Sequence, residues 1–144
     1  MTAPAAERLI DLRFPASADR MTLVRPSIEG AARLCGFDEA AARDIVLAVA
    51  EACQNVIQHA YEAPADGDIV LGLMRDGQGI IVRVADFAPP VDPECIRPRE
   101  LDDLRPGGLG THFMAEIMDT AEFVPPPHGV GNVLEMTKKA RTRT

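Results

Sequence analysis

The most informative stretch of this 144-residue chain is AVAEACQNVIQHAY, residues 48–61. Apolar residues recur through it at helical spacing, and Asp38 upstream is a residue type that caps helix N-termini. The sequence therefore predicts a helix from Glu39 to Ala60. Its predicted buried stripe consists of Ile45, Ala48, Val49, Ala52, Val56 and Ala60.

A line of polar residues interrupts this apolar helix. Glu51, Asn55 and His59 lie four residues apart, which places all three along one side of a helix. A buried carboxylate is costly unless it is paired or used. A carboxylate one turn from an amide can hold a cation and a polarised hydroxyl. The alternative is an ordinary solvent-facing stripe shared with Gln54 and Gln58.

The residues before this helix predict a strand and a further helix. Residues 7–15 read as a strand, since Leu9, Asp11 and Arg13 alternate with Ile10, Leu12 and Phe14. A helix is expected from about Ser17 to Leu34. Pro26 is expected to kink this helix or delay its start, and Gly36 is expected to end it.

The residues after the long helix predict a β-hairpin. Two apolar runs, residues 69–75 and 80–86, flank Asp-Gly-Gln-Gly at 76–79. Asp-Gly between strand-like runs is a strong hairpin signal. The sequence therefore predicts two antiparallel strands here.

The rest of the chain predicts a third helix at residues 109–118 and two short strands at 121–124 and 133–137. The resulting order is β, α, α, β, β, α, β, β, with short connections between strands. This order indicates an α+β fold, a two-layer sandwich whose mixed, mostly antiparallel sheet carries helices on one face.

Asp86 ends the second run of the hairpin and precedes a long loop. A carboxylate there can accept a hydrogen bond from an exocyclic amine such as that of adenine. The alternative is a residue that only ends a strand. Residues 88–106 are rich in proline and charge and lack periodicity, which favours a functional lid. A disordered surface insertion is the alternative for this loop.

A glycine-rich turn, Gly107-Gly108-Leu109-Gly110-Thr111, opens the predicted third helix. Glycine at a helix start lets phosphate approach backbone N–H groups, and the helix dipole favours the negative charge. The turn follows a loop and no Gly-Lys-Ser/Thr occurs, so it is neither a Walker loop nor a dinucleotide fingerprint. Taken alone, it is also compatible with an ordinary tight turn.

Composition narrows the classes of function. The formal net charge is −7 and the basic cluster is confined to residues 138–143, so a nucleic-acid partner is not expected. Cys35, Cys53 and Cys95 lack metal or disulfide spacing, and the first two are expected as buried free thiols. No signal segment or membrane-length apolar run is present, so we expect a cytoplasmic protein with no membrane partner.

The order of these features resembles that of the GHKL ATPases with the Bergerat fold, and most closely their anti-sigma-factor serine kinase branch. Residues 48–61 resemble the N-box of that branch. Residues 107–114, GGLGTHFM, followed by Ile117-Met118-Asp119, resemble its second glycine box. The resemblance covers about residues 7–138.

The resemblance implies roles for particular residues toward ATP and Mg²⁺. Asn55 matches the Mg²⁺ ligand, Glu51 matches the general base that acts on the attacking hydroxyl, and Asp86 matches the residue that binds adenine. The other implied nucleotide-binding positions are Ala88, Gly107, Gly108, Leu109, Gly110 and Thr111.

The same resemblance implies one histidine-kinase-like ATPase domain over residues 1–144, with an ATP lid at about 88–106 and a flexible tail at about 139–144. The chain departs from the family pattern at two positions. Ala88 stands where the family usually has Gly, which penalises a positive φ. Asn132 stands where the family often has Thr.

The function implied is that of an anti-sigma regulatory factor acting as a serine/threonine-protein kinase. It would transfer the γ-phosphoryl group of Mg-ATP to an anti-sigma-factor antagonist of the STAS type, with a sigma factor as a further partner and a homodimer as the assembly. The alternative is a binding switch that sequesters a sigma factor or other regulator without kinase activity, with or without nucleotide. The altered turn Asp86-Phe87-Ala88 favours that alternative. A histidine-kinase catalytic domain is the least expected.

Overall fold

The computed structural model describes residues 6–60, 67–77, 79–89, 114–127 and 131–140. Within these ranges the chain forms five strands and two long helices. The strands are β1 (Glu7–Pro15), β2 (Asp68–Asp76), β3 (Gly79–Asp86), β4 (Thr120–Val124) and β5 (Asn132–Lys139), and the helices are α1 (Met21–Leu34) and α2 (Glu39–His59). A 3₁₀ turn at Ala18–Arg20 leads into α1, and residues 114–117 form one helical turn.

The five strands form one sheet in the order β1-β2-β3-β5-β4. Every neighbouring pair is antiparallel. One face of the sheet shares a single hydrophobic core with both helices, to which β2 contributes Leu71 and Leu73 and β3 contributes Val82 and Val84. The predicted α+β sandwich with helices on one face is therefore confirmed, and its described sheet is antiparallel throughout rather than mixed.

Helix α2 begins where the sequence predicts. The Asp38 Oδ1 atom accepts a hydrogen bond of 2.8 Å from the Ala41 backbone N–H, which satisfies one of the donors that a helix start leaves unpaired. Val56 and Ala60 of the predicted stripe are only partly buried, since they lie toward the end of the helix. The buried residues of α2 are Ala42, Ile45, Ala48, Val49, Ala50, Ala52, Cys53 and Ile57.

Helix α1 begins at Met21, four residues later than predicted, because a tight 3₁₀ turn precedes it. Such turns are common at helix N-termini. Pro26 lies inside α1 without ending it. Gly36 follows the helix with a φ of +97°, a left-handed conformation that glycine adopts at little cost. The predicted end of this helix is confirmed.

Two predicted segments fall mostly outside the described residues. Of the predicted lid, 88–106, the structure describes only Ala88 and Pro89. Of the predicted third helix it describes the C-terminal part, where residues 114–117 are helical. The glycine-rich turn at 107–111 lies outside the described residues.

The last two strands are confirmed and are slightly longer than predicted. Lys139, near which the predicted tail of about 139–144 begins, belongs to β5 and pairs with Gly79 of β3, and residues 141–144 lie outside the described residues. No helix in the described part of the chain is long and apolar enough to cross a membrane.

The cysteines differ in their surroundings. Cys53 on α2 is buried, and burial raises the pKa of its thiol to about 12, so it remains a neutral core residue. Cys35, just after α1, is only partly buried, and burial also raises the pKa of its thiol. The expectation of buried free thiols is therefore confirmed for Cys53 and met in part for Cys35, while Cys95 lies outside the described residues.

We expect Asp38→Ala to lower the free energy of unfolding by about 1 kcal/mol, because the Ala41 N–H loses its partner. Urea denaturation followed by circular dichroism measures the change. Asp44→Ala, at an exposed position of the same helix, is the matched control and should shift stability by less than about 0.5 kcal/mol. An equal loss in the two variants would contradict the capping role.

Candidate functional site

Asp86 lies at the end of the central strand β3, on the face of the sheet that packs against the helices. It follows Val82 and Val84 in the alternation of that face, and the residue is 7% exposed. Among the described residues it is the only polar or charged residue that is buried. The sheet register places it opposite Asn132, the first residue of β5.

Two donors of the protein meet on one oxygen of this carboxylate. Asp86 Oδ1 accepts a hydrogen bond of 3.0 Å from the Ala88 backbone N–H and another of 3.0 Å from Asn132 Nδ2. Asp86 Oδ2 accepts none from any residue that the structure describes. A buried carboxylate oxygen without a donor is costly, so this oxygen is suited to receive a donor from a ligand.

Burial and hydrogen bonding shift the pKa of the Asp86 carboxyl in opposite directions. Burial disfavours the charged form and raises the pKa of the Asp86 carboxyl, while the hydrogen bonds from Asn132 and Ala88 lower it. Burial is the larger effect, so the net shift is upward. The protein therefore stabilises the carboxylate only in part.

The turn after Asp86 accommodates an alanine at the position where the family usually has glycine. Ala88 is buried, and its N–H closes a local turn on the Asp86 side chain. Aspartate side chains commonly accept a hydrogen bond from the backbone two residues further on. Any residue with a backbone N–H can make this contact, so the alanine leaves this donor in place.

Gly131 packs directly against the backbone of Asp86. Its φ is +81°, and a Cβ at this position would lie 1.9 Å from the Asp86 carbonyl oxygen. No side chain fits in that space. The close contact brings the start of β5 against the end of β3 and so brings Asn132 within reach of the carboxylate.

Two of the three polar residues that line one side of α2 are partly buried. Glu51 and Asn55 are partly buried, whereas His59 is exposed. Neither Glu51 nor Asn55 makes a side-chain hydrogen bond or ion pair with any described residue. Helix α2 packs against β3, the strand that Asp86 ends. The helix therefore carries a carboxylate and an amide, one turn apart, that are unpaired within the described part of the chain.

The segment that follows the glycine-rich turn is anchored to β5. Lys138 Nζ donates a 2.6 Å hydrogen bond to the carbonyl oxygen of Ile117, at the end of the helical turn 114–117. The Asp119 N–H donates to the Thr137 carbonyl oxygen at 2.8 Å. These contacts fix where the chain re-enters the sheet after the predicted glycine box.

Comparison with known proteins identifies the family of this arrangement. Residues 14–138 match the family described as the histidine kinase-like ATPase domain. Serine-protein kinase RsbW of Halalkalibacterium halodurans is 32% identical over an alignment of 137 residues that covers 90% of this chain and 82% of that protein. Serine-protein kinase RsbW of Listeria monocytogenes is 33% identical over 122 residues, covering 79% of this chain and 78% of that protein.

The chain belongs to the RsbW serine-protein kinases, within the histidine kinase-like ATPase family. The family and the enzyme class that the sequence predicts are thereby confirmed. The crystal structure of the RsbU and RsbW domains of Rv1364c from Mycobacterium tuberculosis has the same fold, with a TM-score of 0.61 at 18% identity. That match covers 91% of this RsbW-family chain and 32% of the larger chain, so this protein spans about a third of that chain's length.

The RsbW-family fold also contains a contact that no sequence signal indicated. The Arg13 guanidinium lies 5.1 Å from the centre of the Phe87 ring, and Arg13 Nε donates a 2.8 Å hydrogen bond to Asp68. Arg13 and Asp68 stand on the face of the sheet away from the helices. The contact therefore holds the residue after Asp86 from the opposite side. The antiparallel pairings of β1 with β2 and of β2 with β3 together bring these residues close.

We expect Gly131→Ala to lower the free energy of unfolding of this RsbW-family kinase by at least about 1–2 kcal/mol, because alanine disfavours a positive φ and its Cβ would overlap Asp86. Thermal and urea unfolding measure the effect. Gly30→Ala is the matched control, since it lies in α1 with nothing within 4 Å of the added Cβ. It should stabilise the protein by about 0.5–1 kcal/mol. Similar stability changes for both variants would contradict the packing argument.

Proposed function

We propose that this chain binds Mg-ATP and transfers the γ-phosphoryl group to a serine or threonine of an anti-sigma-factor antagonist of the STAS type. The observation that carries the proposal is the buried Asp86 carboxylate, which has one oxygen satisfied by the protein and the other available to a donor. Membership of the RsbW serine-protein kinases supports the reaction.

Asp86 is proposed to bind the adenine base. A carboxylate oxygen accepts a hydrogen bond and cannot donate one while it is ionised. Its site therefore favours a base whose exocyclic group is an amine, as in adenine. The placement of Asp86 at the strand end, facing the helix layer, supports this role, and Ala88 would contribute to the same pocket.

The residues of α2 fit a bound Mg²⁺ and a phosphoryl-transfer reaction. Asn55 would hold the cation through its amide oxygen, since Mg²⁺ takes oxygen ligands and few of them need come from the protein. Mg²⁺, when bound, would offset the charge of the phosphates. Glu51, one turn away, would accept the proton of the attacking hydroxyl. The absence of side-chain partners for both residues in the described part of the chain supports these roles.

The glycine-rich turn is proposed to hold the phosphates. Backbone N–H groups at a helix start bind phosphate well, and this role is assigned to Gly107, Gly108, Leu109, Gly110 and Thr111. The anchoring of residues 114–119 to β5 supports it, because a fixed helical turn gives the preceding segment a defined end. Residues 88–106 would form the lid over the nucleotide.

The proposed partners follow from the family. They are the STAS-type antagonist as substrate, a sigma factor as the protein that is sequestered, and a second copy of this chain in a homodimer, all in the cytoplasm. The alternative, a binding switch without kinase activity, rested on the alanine at position 88. The Ala88 N–H bonds to Asp86, so that residue gives the alternative little support.

We expect Glu51→Gln to abolish phosphoryl transfer, with a loss of at least about a hundredfold, and to leave ATP affinity nearly unchanged. Transfer from γ-labelled ATP to a purified STAS-type antagonist measures the reaction, and titration calorimetry measures ATP binding. Asn55→Ala should weaken ATP binding only when Mg²⁺ is present. The two variants thus separate the chemical step from cation binding.

Gln58→Ala is the matched control for both variants, because Gln58 is an exposed polar residue on the same helix. It should leave transfer and binding unchanged. Retained transfer in Glu51→Gln would remove the general-base assignment. Equal ATP affinity of Asn55→Ala and wild type in Mg²⁺ would remove the ligand assignment, and a wild type that binds no ATP would refute the proposed function.

A further inference from the structure

Asn132 stands where the family often has Thr, and its side chain contacts the candidate base-binding residue Asp86. Its Nδ2 atom donates to Asp86 Oδ1 at 3.0 Å and also reaches the carbonyl oxygen of Pro89 at 3.4 Å. The second contact lies at the long limit for a hydrogen bond. One amide group thus links the start of β5, the end of β3 and the segment that leads into the predicted lid.

The chemistry of the amide decides what this contact does. An amide nitrogen carries two hydrogens and only donates. Together with the Ala88 N–H, Asn132 supplies two donors to the same oxygen of Asp86. Two donors on Oδ1 restrict rotation of the carboxylate and leave Oδ2 as the oxygen that can meet a ligand.

The same hydrogen bond favours the charged form of Asp86. Burial is the main cause that raises the pKa of this carboxyl, and the bond from Asn132 is the larger of the two that lower it. No charged side chain in the described part of the chain is among the causes. Arg13 and Asp68 stand on the other face of the sheet, and Glu51 of α2 has no resolved effect on this carboxyl. The pKa of the Asp86 carboxyl therefore depends on burial and on these two donors.

We propose that Asn132 is a positioning residue, an inference that rests on the proposed function. Its amide holds the Asp86 carboxylate in one orientation, with Oδ2 presented as an acceptor. The site consequently selects a purine nucleotide with an exocyclic amino group over one with a carbonyl at the same position. Asn132 acts through Asp86 and requires no contact of its own with the nucleotide.

Affinities for ATP and for ITP test this selection, because adenine has an amine at position 6 and a bare N1, whereas the base of ITP has a carbonyl at position 6 and a hydrogen on N1. Titration calorimetry would be run from about pH 4, near the ordinary pKa of an aspartate, to about pH 8 on wild type, Asn132→Ala and Asn132→Thr. Threonine is the conservative variant because its hydroxyl can also donate. Gln58→Ala is the control for an unrelated loss of an exposed amide, and thermal unfolding checks that each variant is folded.

We expect wild type to prefer ATP to ITP by at least about a hundredfold. Asn132→Ala should bind ATP about tenfold or more weakly and should lose much of the preference over ITP. Because the two protein donors occupy Oδ1, a proton taken up by Asp86 would sit on Oδ2 and turn that oxygen into a donor. ATP affinity should therefore fall as the pH drops through the pKa of Asp86. That fall should begin at a higher pH in Asn132→Ala, and Asn132→Thr should restore part of each property.

A uniform loss of affinity for both nucleotides, with an unchanged pH profile, would overturn the inference in favour of a purely structural role. An Asn132→Ala variant that behaves as wild type would overturn it as well. If Asn132→Ala does not fold, the isosteric Asn132→Asp replaces it. That variant removes the donor and puts two carboxyl groups in contact, so it should show the same losses.

A measurement without nucleotide separates this inference from the proposed function. The Asp86 carboxyl carbon can be followed by NMR in a pH titration of the free protein. Its pKa should be higher in Asn132→Ala than in wild type, and equal values would overturn the positioning role. If wild type binds neither nucleotide, the proposed function fails, and this titration still decides whether Asn132 controls the carboxylate.

Discussion

The Asp86 carboxylate is held out of water at the end of the central strand, and the structure around it follows from that burial. A charged group in this position needs donors. The strand itself supplies none, because a side chain that alternates with Val82 and Val84 faces the core. The donors must come from the next turn and from the neighbouring strand. Ala88 and Asn132 provide them, and Gly131 allows the backbones to approach closely enough.

The second constraint is the length and burial of α2. The 21-residue helix buries a stripe of eight apolar residues, and a polar side chain next to that stripe loses contact with water. Glu51 and Asn55 are nevertheless there, partly buried and without side-chain partners among the described residues. Natural sequences that break the local rules of packing tend to do so where they bind or react. The same reasoning applies to Asp86, the buried carboxylate at the end of β3.

Much of this fold could be predicted from local sequence signals. The cap at Asp38, the Asp-Gly hairpin and the alternation of residues 7–15 each depend on neighbours in the chain, and each prediction is confirmed. The start of α1 was predicted four residues too early, because a 3₁₀ turn and an α-helix have similar sequence preferences. Identifying Glu51, Asn55 and Asp86 as candidates required only residue type and spacing, whereas their roles rest on the family.

The contacts around Asp86 could not be predicted in the same way, because they join residues far apart in the chain. Asn132 bonds to Asp86 across 46 positions, and Arg13 reaches Phe87 through the pairings of β1 with β2 and of β2 with β3. Before the strand register is known, the sequence shows only that Asn132 follows a glycine. The contact of Asn132 with Asp86 depends on the close approach of the Gly131 backbone to the Asp86 backbone. The sequence signals this approach only through the glycine itself.

The two residues that depart from the family pattern contact the same atom. Ala88 and Asn132 both donate to Asp86 Oδ1. The alanine contributes through its backbone, so the change of side chain at that position leaves the donor in place. At position 132 the change is chemical, because a hydroxyl can donate or accept, whereas an amide nitrogen only donates. Two obligate donors on one oxygen of Asp86 favour the carboxylate as an acceptor, and under the proposed function this chain would reach the polarity that an adenine site needs through a different residue.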